Sequence, residues 1–447
     1  MNRKHLLQLL TLSMMVLLSC TEEKVPEPFY PKNDHEAYEK SLEQANLLST
    51  ALGKEWLQSA NEALDNPERI ELPYEEAFYI NELSAFAQGY RFSAKRGQKV
   101  QITLSEIKAD TLRRFVDLYR AEEGELYHVA SADSTAQTLG FEPRRDADYV
   151  LRVQSELLRG GSFKITFENV PSLRFPVAGL THQSIWSFWG DERDGGRRSH
   201  EGVDIFAERG TPVIAPTDGL VRSAEERGIG GKVVWLADSR RSQSLYFAHL
   251  NDWNVKRGDR VKAGDTLGFV GNTGNARTTA PHLHFGIYSR GAINPINHLK
   301  PLGRQLRPVD SEFDWLGQEM QLKNNTSLFS SLSDRQTTIQ LEKNQIARVI
   351  AITHDHCKVE LPNGEKGFIR KRDLNPGLGI LEQLIAQEEQ HIYFRPDLST
   401  GKGMIAANEN LDVLGRNNDF LLVESASGLR GWIEASKASS ASRADED

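Results

Sequence analysis

The chain has 447 residues, 39% of them hydrophobic and 26% charged, with a formal net charge of -8 and a mean hydropathy of -0.49. That length exceeds what one core organises and calls for roughly three to five domains of ordinary size. An acidic balance without basic patches sets nucleic acid aside as a partner, and no apolar run beyond the N-terminus approaches the ~20 residues of a membrane-spanning helix.

The first twenty residues read as a targeting segment rather than as fold. Arg3 and Lys4 supply the positive end, Leu6 to Leu18 form an apolar run too short to span, and Ser19-Cys20 follows. Leu17-Leu18-Ser19-Cys20 resembles the lipobox of bacterial lipoproteins. The resemblance implies that Cys20 becomes the acylated first residue and anchors the chain to a membrane through buried methylenes. An ordinary secretory leader with an incidental Cys is the alternative. Thr21 stands where an Asp would resemble an inner-membrane retention signal, which points to an outer-membrane lipoprotein facing the periplasm; Glu22-Glu23 leave surface export open. With Cys20 lipidated, Cys357 has no partner and no disulfide framework is expected.

Residues 21–66 read as a Pro-punctuated tether followed by a helical segment, in which Leu42, Ala45, Leu48, Leu52 and Trp56 mark one or two amphipathic helices. Over 67–170 the period changes to two. Tyr90 and Phe92, Val100, Ile102 and Leu104, Phe115 and Leu118, Tyr149, Leu151 and Val153, and Phe163, Ile165 and Phe167 predict the strands of a small β-sandwich. Residues 171–303 open with a linker and a loop rich in Gly, Arg and Asp, Phe188 to Arg193 within it. Short Gly-punctuated strands such as Val233-Val234-Trp235-Leu236 then suggest an antiparallel β-domain with little helix. After a polar connector at 304–325, two segments, 326–376 and 377–437, repeat at a spacing of about 64 residues and close on Gly367-Phe368-Ile369 and Gly431-Trp432-Ile433; each has room for a small barrel only. The Ser, Ala and Asp-rich tail, 438–447, is expected to be disordered. The fold class is thus mainly β and multidomain.

Between His200 and Ile287 lie four of the twelve histidines, in three islands: His200 to Phe206, Tyr246 to Leu250 and Pro281 to Ile287. Zinc favours imidazole nitrogen and carboxylate oxygen, and a catalytic site keeps three protein ligands with a fourth position open. His282 and His284, two apart on a strand, project to one face, so that one can hold metal while the other meets substrate. His200 and Asp204 are four apart, which also resembles a helical His-Glu-x-x-His motif with Glu201 as base. Gly202 and the apolar, β-branched run after it argue instead for loop entering strand. His354-Asp355-His356-Cys357 is rich in ligand types but reads as an exposed hairpin, and Gly268 to Gly274 lacks the Lys-Ser/Thr ending of a phosphate loop and reads as a turn.

His200-x-x-x-Asp204, Tyr246-x-x-His249 and His282-x-His284, with Gly210-Thr211-Pro212-Val213 and Ala215-Pro216 around them, resemble the lysostaphin-like (LytM-type) zinc endopeptidases of peptidoglycan over about residues 176 to 300. The resemblance implies one Zn2+ per chain held by His200, Asp204 and His284, with His249 and His282 flanking a metal-bound water that acts as nucleophile. It further implies a substrate in the peptide stems or cross-links of peptidoglycan. The 67–170 segment is similar to the accessory β-domains beside secreted bacterial peptidases, a spacer or a binding unit. The two repeats resemble bacterial SH3-like domains, which either target the cell wall or shade the cleft. The alternative function is a non-catalytic lipoprotein that binds the wall or activates an amidase; a regulatory protein partner is left open.

Overall fold

The computed structural model describes residues 31–440 apart from 110–111, 137, 194, 302–303 and 334–336. The lipobox, Cys20 and the end of the tail lie outside the described residues. Among the described residues no helix is long and apolar enough to cross a membrane. The secondary structure is mainly β, with few helices.

Two helices come first, Asp34–Gln44 and Ala51–Asp65, each opened by a side-chain cap: Asn33 accepts from the Glu36 N–H and Thr50 from the Gly53 N–H. Their apolar stripe buries Tyr38, Leu42 and Trp56 around Phe115. Phe115 and Leu118, three apart on the strand Arg114–Glu122, therefore face opposite ways: Phe115 meets the helices, and Leu118 the core between two sheets. Side chains alternate along a strand, so three residues of separation change the face. That core holds Phe78, Tyr90, Phe92, Phe163, Ile165 and Phe167, all essentially buried.

The second sheet of this sandwich continues past it. Tyr74–Ile80 pairs antiparallel with Ile346–Ile352, through Ala77 opposite Ile352 and Phe78 opposite Ala351, so the sandwich and the first C-terminal repeat share one eleven-stranded sheet. A half-buried Lys358, 2.8 Å from Glu68, ties the same two units together.

The C-terminal repeats have identical strand order. In the first, the order is 337–341, 326–329, 366–370, 356–360, 346–352, 319–322 and 374–375; in the second it is 401–405, 390–393, 430–434, 420–425, 410–417, 382–386 and 438–440. Gly367 and Gly431 occupy equivalent places for one reason. A Cβ on Gly367 would lie 2.7 Å from the Phe329 carbonyl oxygen, and one on Gly431 would lie 2.7 Å from that of Tyr393. Two expectations change. The connector 304–325 is not merely polar linker: Glu319–Leu322 is a strand of the first repeat, the counterpart of Glu382–Ala386. The tail does not begin at 438, because Ala438–Ser440 pairs with Leu384 to Ala386 and covers that edge as Leu374–Asn375 does in the first repeat.

The central domain is built on an eight-stranded antiparallel sheet whose path runs Ile185–Ser187, Val203–Phe206, His282–Tyr288, Gln243–Leu250, Lys232–Asp238, Gly219–Glu226 and Arg260–Val261, with Ala292–Ile293 paired to His282–Tyr288 off that path. One face buries Val203, Ile205, Leu245, Phe247, Leu283, Phe285 and Ile287. By alternation the other face carries Asp204, Phe206, Tyr246, His282 and His284. The domain is clamped to the sandwich at the end of the Gln243–Leu250 strand remote from His249. There Arg241 donates to both carboxylate oxygens of Glu142, at 2.7 and 3.0 Å, to Asp238 at 3.0 Å and to the Ser172 carbonyl at 2.8 Å.

Candidate metal centre

Asp204 and His284 are direct cross-strand neighbours in the antiparallel pair Val203–Phe206 and His282–Tyr288. Register therefore brings their side chains to one point, since opposed Cβ atoms in such a pair lie ~4.5–5.5 Å apart. His200 arrives from the loop ahead of the first strand, its backbone N–H bound to the Asp191 carbonyl at 2.8 Å. Val203–Phe206 is strand, so the helical reading with Glu201 as base has no place here; Glu201 is exposed.

The three donors close a small triangle: His200 Nε2 to His284 Nδ1 is 3.0 Å, His284 Nδ1 to Asp204 Oδ1 is 3.0 Å, and His200 Nε2 to Asp204 Oδ1 is 3.1 Å. Two imidazole nitrogens and a carboxylate oxygen gathered in this way form a group that could hold a metal ion, with donor types that zinc favours. The surroundings prepare the donors. His200 Nδ1 lies 2.8 Å from the Phe188 carbonyl, a pure acceptor, so the proton sits on Nδ1 and the Nε2 lone pair points inward. Arg193 Nη2 donates to Asp204 Oδ2 at 2.9 Å, leaving Oδ1 for the centre. Burial raises the Asp204 pKa, but the close approach of His200 and His284 outweighs it and holds the carboxyl well below the usual range. Burial, only partly offset by the contact with Asp204, lowers the pKa of His284.

His249 and His282 stand beside this triangle. Their ring centroids are 5.1 Å apart, and His249 is 6.0 Å from His284. Each is fixed in the same manner as His200, with Nδ1 2.9 Å from a backbone carbonyl: Thr273 for His249, Ala280 for His282. Both rings thus carry their lone pair on Nε2. Burial, followed by the charges of His282 and His284, lowers the His249 pKa to about 4, so this imidazole is neutral at pH 7. His249 also has φ of 63°, a left-handed backbone that non-glycine residues rarely adopt outside functional sites and turns.

All five expected residues come together. The sequence reading passed over Arg193 and the orienting carbonyls of Phe188, Thr273 and Ala280. The last three offer no side-chain signal, and Arg193 lies in a run taken only as loop. The His354 cluster is elsewhere, and it works as structure: His354 Nδ1 donates to the Pro308 carbonyl at 2.9 Å and Asp355 pairs with Arg307 at 2.6 Å, pinning the connector to a hairpin.

Residues 198–297 match the model of peptidase family M23, and the chain carries a domain of that family. Among curated relatives, the L-Ala--D-Glu endopeptidase of Bacillus subtilis is 37% identical over 139 residues, 28% of this chain and 42% of the relative. The glycyl-glycine endopeptidase ALE-1 of Staphylococcus capitis is 40% identical over 111 residues, 24% of this chain and 30% of the relative. The chain thus spans less than half the length of these relatives. The catalytic domain of lysostaphin from Staphylococcus simulans is 36% identical as a solved structure, over 24% of this chain and 85% of that one, with a TM-score of 0.22.

Proposed function

We propose that this chain is a zinc-dependent endopeptidase that hydrolyses peptide bonds in the stems or cross-links of peptidoglycan. The observation that carries the reading is the three-donor triangle of His200, Asp204 and His284, flanked by two imidazoles that present Nε2. His200 Nε2, Asp204 Oδ1 and His284 Nδ1 would hold the ion. Zinc so bound supplies Lewis acidity, which polarises a scissile carbonyl and acidifies water near neutral pH.

The chain's own groups perform the proton chemistry. Neutral His249, its Nδ1–H committed to the Thr273 carbonyl, accepts the proton of the attacking water at Nε2. Once protonated, it returns that proton to the leaving amine. His282, its ring 5.1 Å from that of His249, offers Nε2 as a hydrogen-bond partner to the reacting water. No side chain forms a covalent intermediate. The names of the two curated relatives support a peptidase, and their substrates differ, so the bond cleaved in this chain is left to experiment.

On the same reading the lipidated Cys20 tethers the chain to the outer membrane facing the periplasm, and the two C-terminal repeats act as SH3-like units. Their equal strand order supports them as a tandem pair. Digestion of purified sacculi by the mature chain, with and without chelator and with His284→Ala, tests the activity. Metal-dependent release of muropeptides that the variant lacks is expected. No release under any condition would favour the wall-binding or amidase-activating alternative.

A further inference from the structure

Resting on that reading of the site, we infer that Trp186 is a positioning residue that stacks against a sugar ring of the glycan strand. The enzyme would then act on stems still attached to their sugar. Trp186 is 69% exposed, beside Phe188 at 49%, whereas the aromatic side chains of this domain's core are buried. An exposed large aromatic next to a reactive site calls for an account.

Its place in the fold supplies one. Ile185–Ser187 is the edge strand of the central sheet, and Ser187 is paired with Asp204. The Trp186 ring lies on Phe206, centroids 5.1 Å apart and planes 17° from parallel; Phe206 in turn lies on His282, at 5.0 Å and 27°. Phe206 and His282 are themselves a cross-strand pair. Three rings therefore run in a continuous stack from solvent to an imidazole of the candidate catalytic pair. One face of the indole is held against Phe206, which fixes its plane, and the outer side is open. A rigid, flat face of this kind suits the C–H face of a pyranose, and the proposed substrate carries such a ring at the root of every stem.

The stack also measures the substrate. Laid end to end, its two steps place Trp186 no more than about 10 Å from His282, the reach of about three extended residues. A sugar on Trp186 thus brings the sugar-proximal bonds of the stem to the metal centre.

The test compares purified disaccharide-linked stem peptides with the same stems freed of sugar, cleaved by the mature zinc-loaded chain, by Trp186→Ala and by Trp186→Phe. The wild-type ratio of kcat/KM, linked over free, is expected to be about ten, the upper end of what one aromatic stack contributes. It should fall toward one in Trp186→Ala and stay intermediate in Trp186→Phe. A wild-type ratio near one, or a ratio unchanged in Trp186→Ala, overturns the inference; a peptide-binding platform would give the second result. Calorimetric titration with the peptide-free disaccharide decides the same point without turnover: binding lost in Trp186→Ala supports it, and equal binding or none in the wild type refutes it. Absence of turnover on both substrates would instead strike at the proposed hydrolysis.

Discussion

Gly202→Ala should cost metal affinity out of proportion to stability. A methyl group at position 202 would lie 2.6 Å from the Phe285 carbonyl oxygen, and 2.7 and 2.8 Å from Cε1 and Nε2 of His284. Ordinary contact begins at 3.4 Å, so about 0.7 Å must be found. Phe285 is the less able to give, because its strand is paired on both sides, with Val203 and with Phe247. The His284 ring yields instead, and its swing displaces Nδ1 from positions 3.0 Å from both His200 and Asp204. A ligand moved by several tenths of an ångström falls outside the roughly ±0.2 Å tolerance of a zinc bond. Zinc affinity should therefore drop about 10–100-fold, the range found when groups that orient ligands are disturbed. The overpacking itself costs about 1–3 kcal/mol, a fall of a few degrees in melting midpoint. Competition against a chromogenic chelator measures the first quantity and a thermal melt the second. Wild-type zinc affinity in a variant that carries the methyl group would refute the reasoning, as would a loss of affinity fully matched by unfolding.

Other expectations follow from the same geometry. Asp204→Ala should abolish zinc retention, whereas His249→Ala should keep the ion and lose turnover; metal analysis of both purified variants checks this, and the reverse pattern would count against the roles assigned. Burial, and after it the charge of Glu68, raises the Glu76 carboxyl to about 7, against which Lys358 and the hydroxyls of Tyr74 and Tyr90 act. A carboxyl whose folded pKa is raised contributes stability that is complete below pH 4.5 and is lost as pH rises through about 7. Melting curves across that window should fall less steeply for Glu76→Gln than for the wild type, and parallel curves would remove the claim. Cys20→Ala should shift the protein from the membrane to the soluble fraction on cell fractionation; continued membrane association would dismiss the lipid anchor.

The five central residues were legible because each is a chemically distinctive type at a spacing that a strand or a short loop imposes. His282 and His284 must share a face, and Gly202 with its β-branched neighbours disfavours a helix. The inner faces of the sandwich were equally plain from period two, with Ile102, Leu151 and Phe167 buried as the alternation predicts. Phe115 was misplaced in that list because a sheet covered by helices is apolar on both sides, and alternation then loses its meaning. Trp186 carried no signal, since an aromatic in a loop-like run looks the same in sequence whether it is buried or open to solvent.

Local sequence determined which side chains are of metal-binding type, where the longer strands of the sandwich and the central sheet run, and that the C-terminal part is one unit written twice, but not the short strands Ile185–Ser187, Glu319–Leu322 and Ala438–Ser440. Tertiary structure alone decided three further matters: the register that sets Asp204 against His284, the carbonyls that choose which nitrogen of each imidazole is bare, and the sheet that joins Ala77 to Ile352 across 275 positions of chain. The division has a physical cause. Residue type and periodicity are properties of a few neighbouring positions, whereas strand pairing and tautomer are fixed by backbone groups that every residue possesses, so their partners are distinguishable only by where the whole chain has put them.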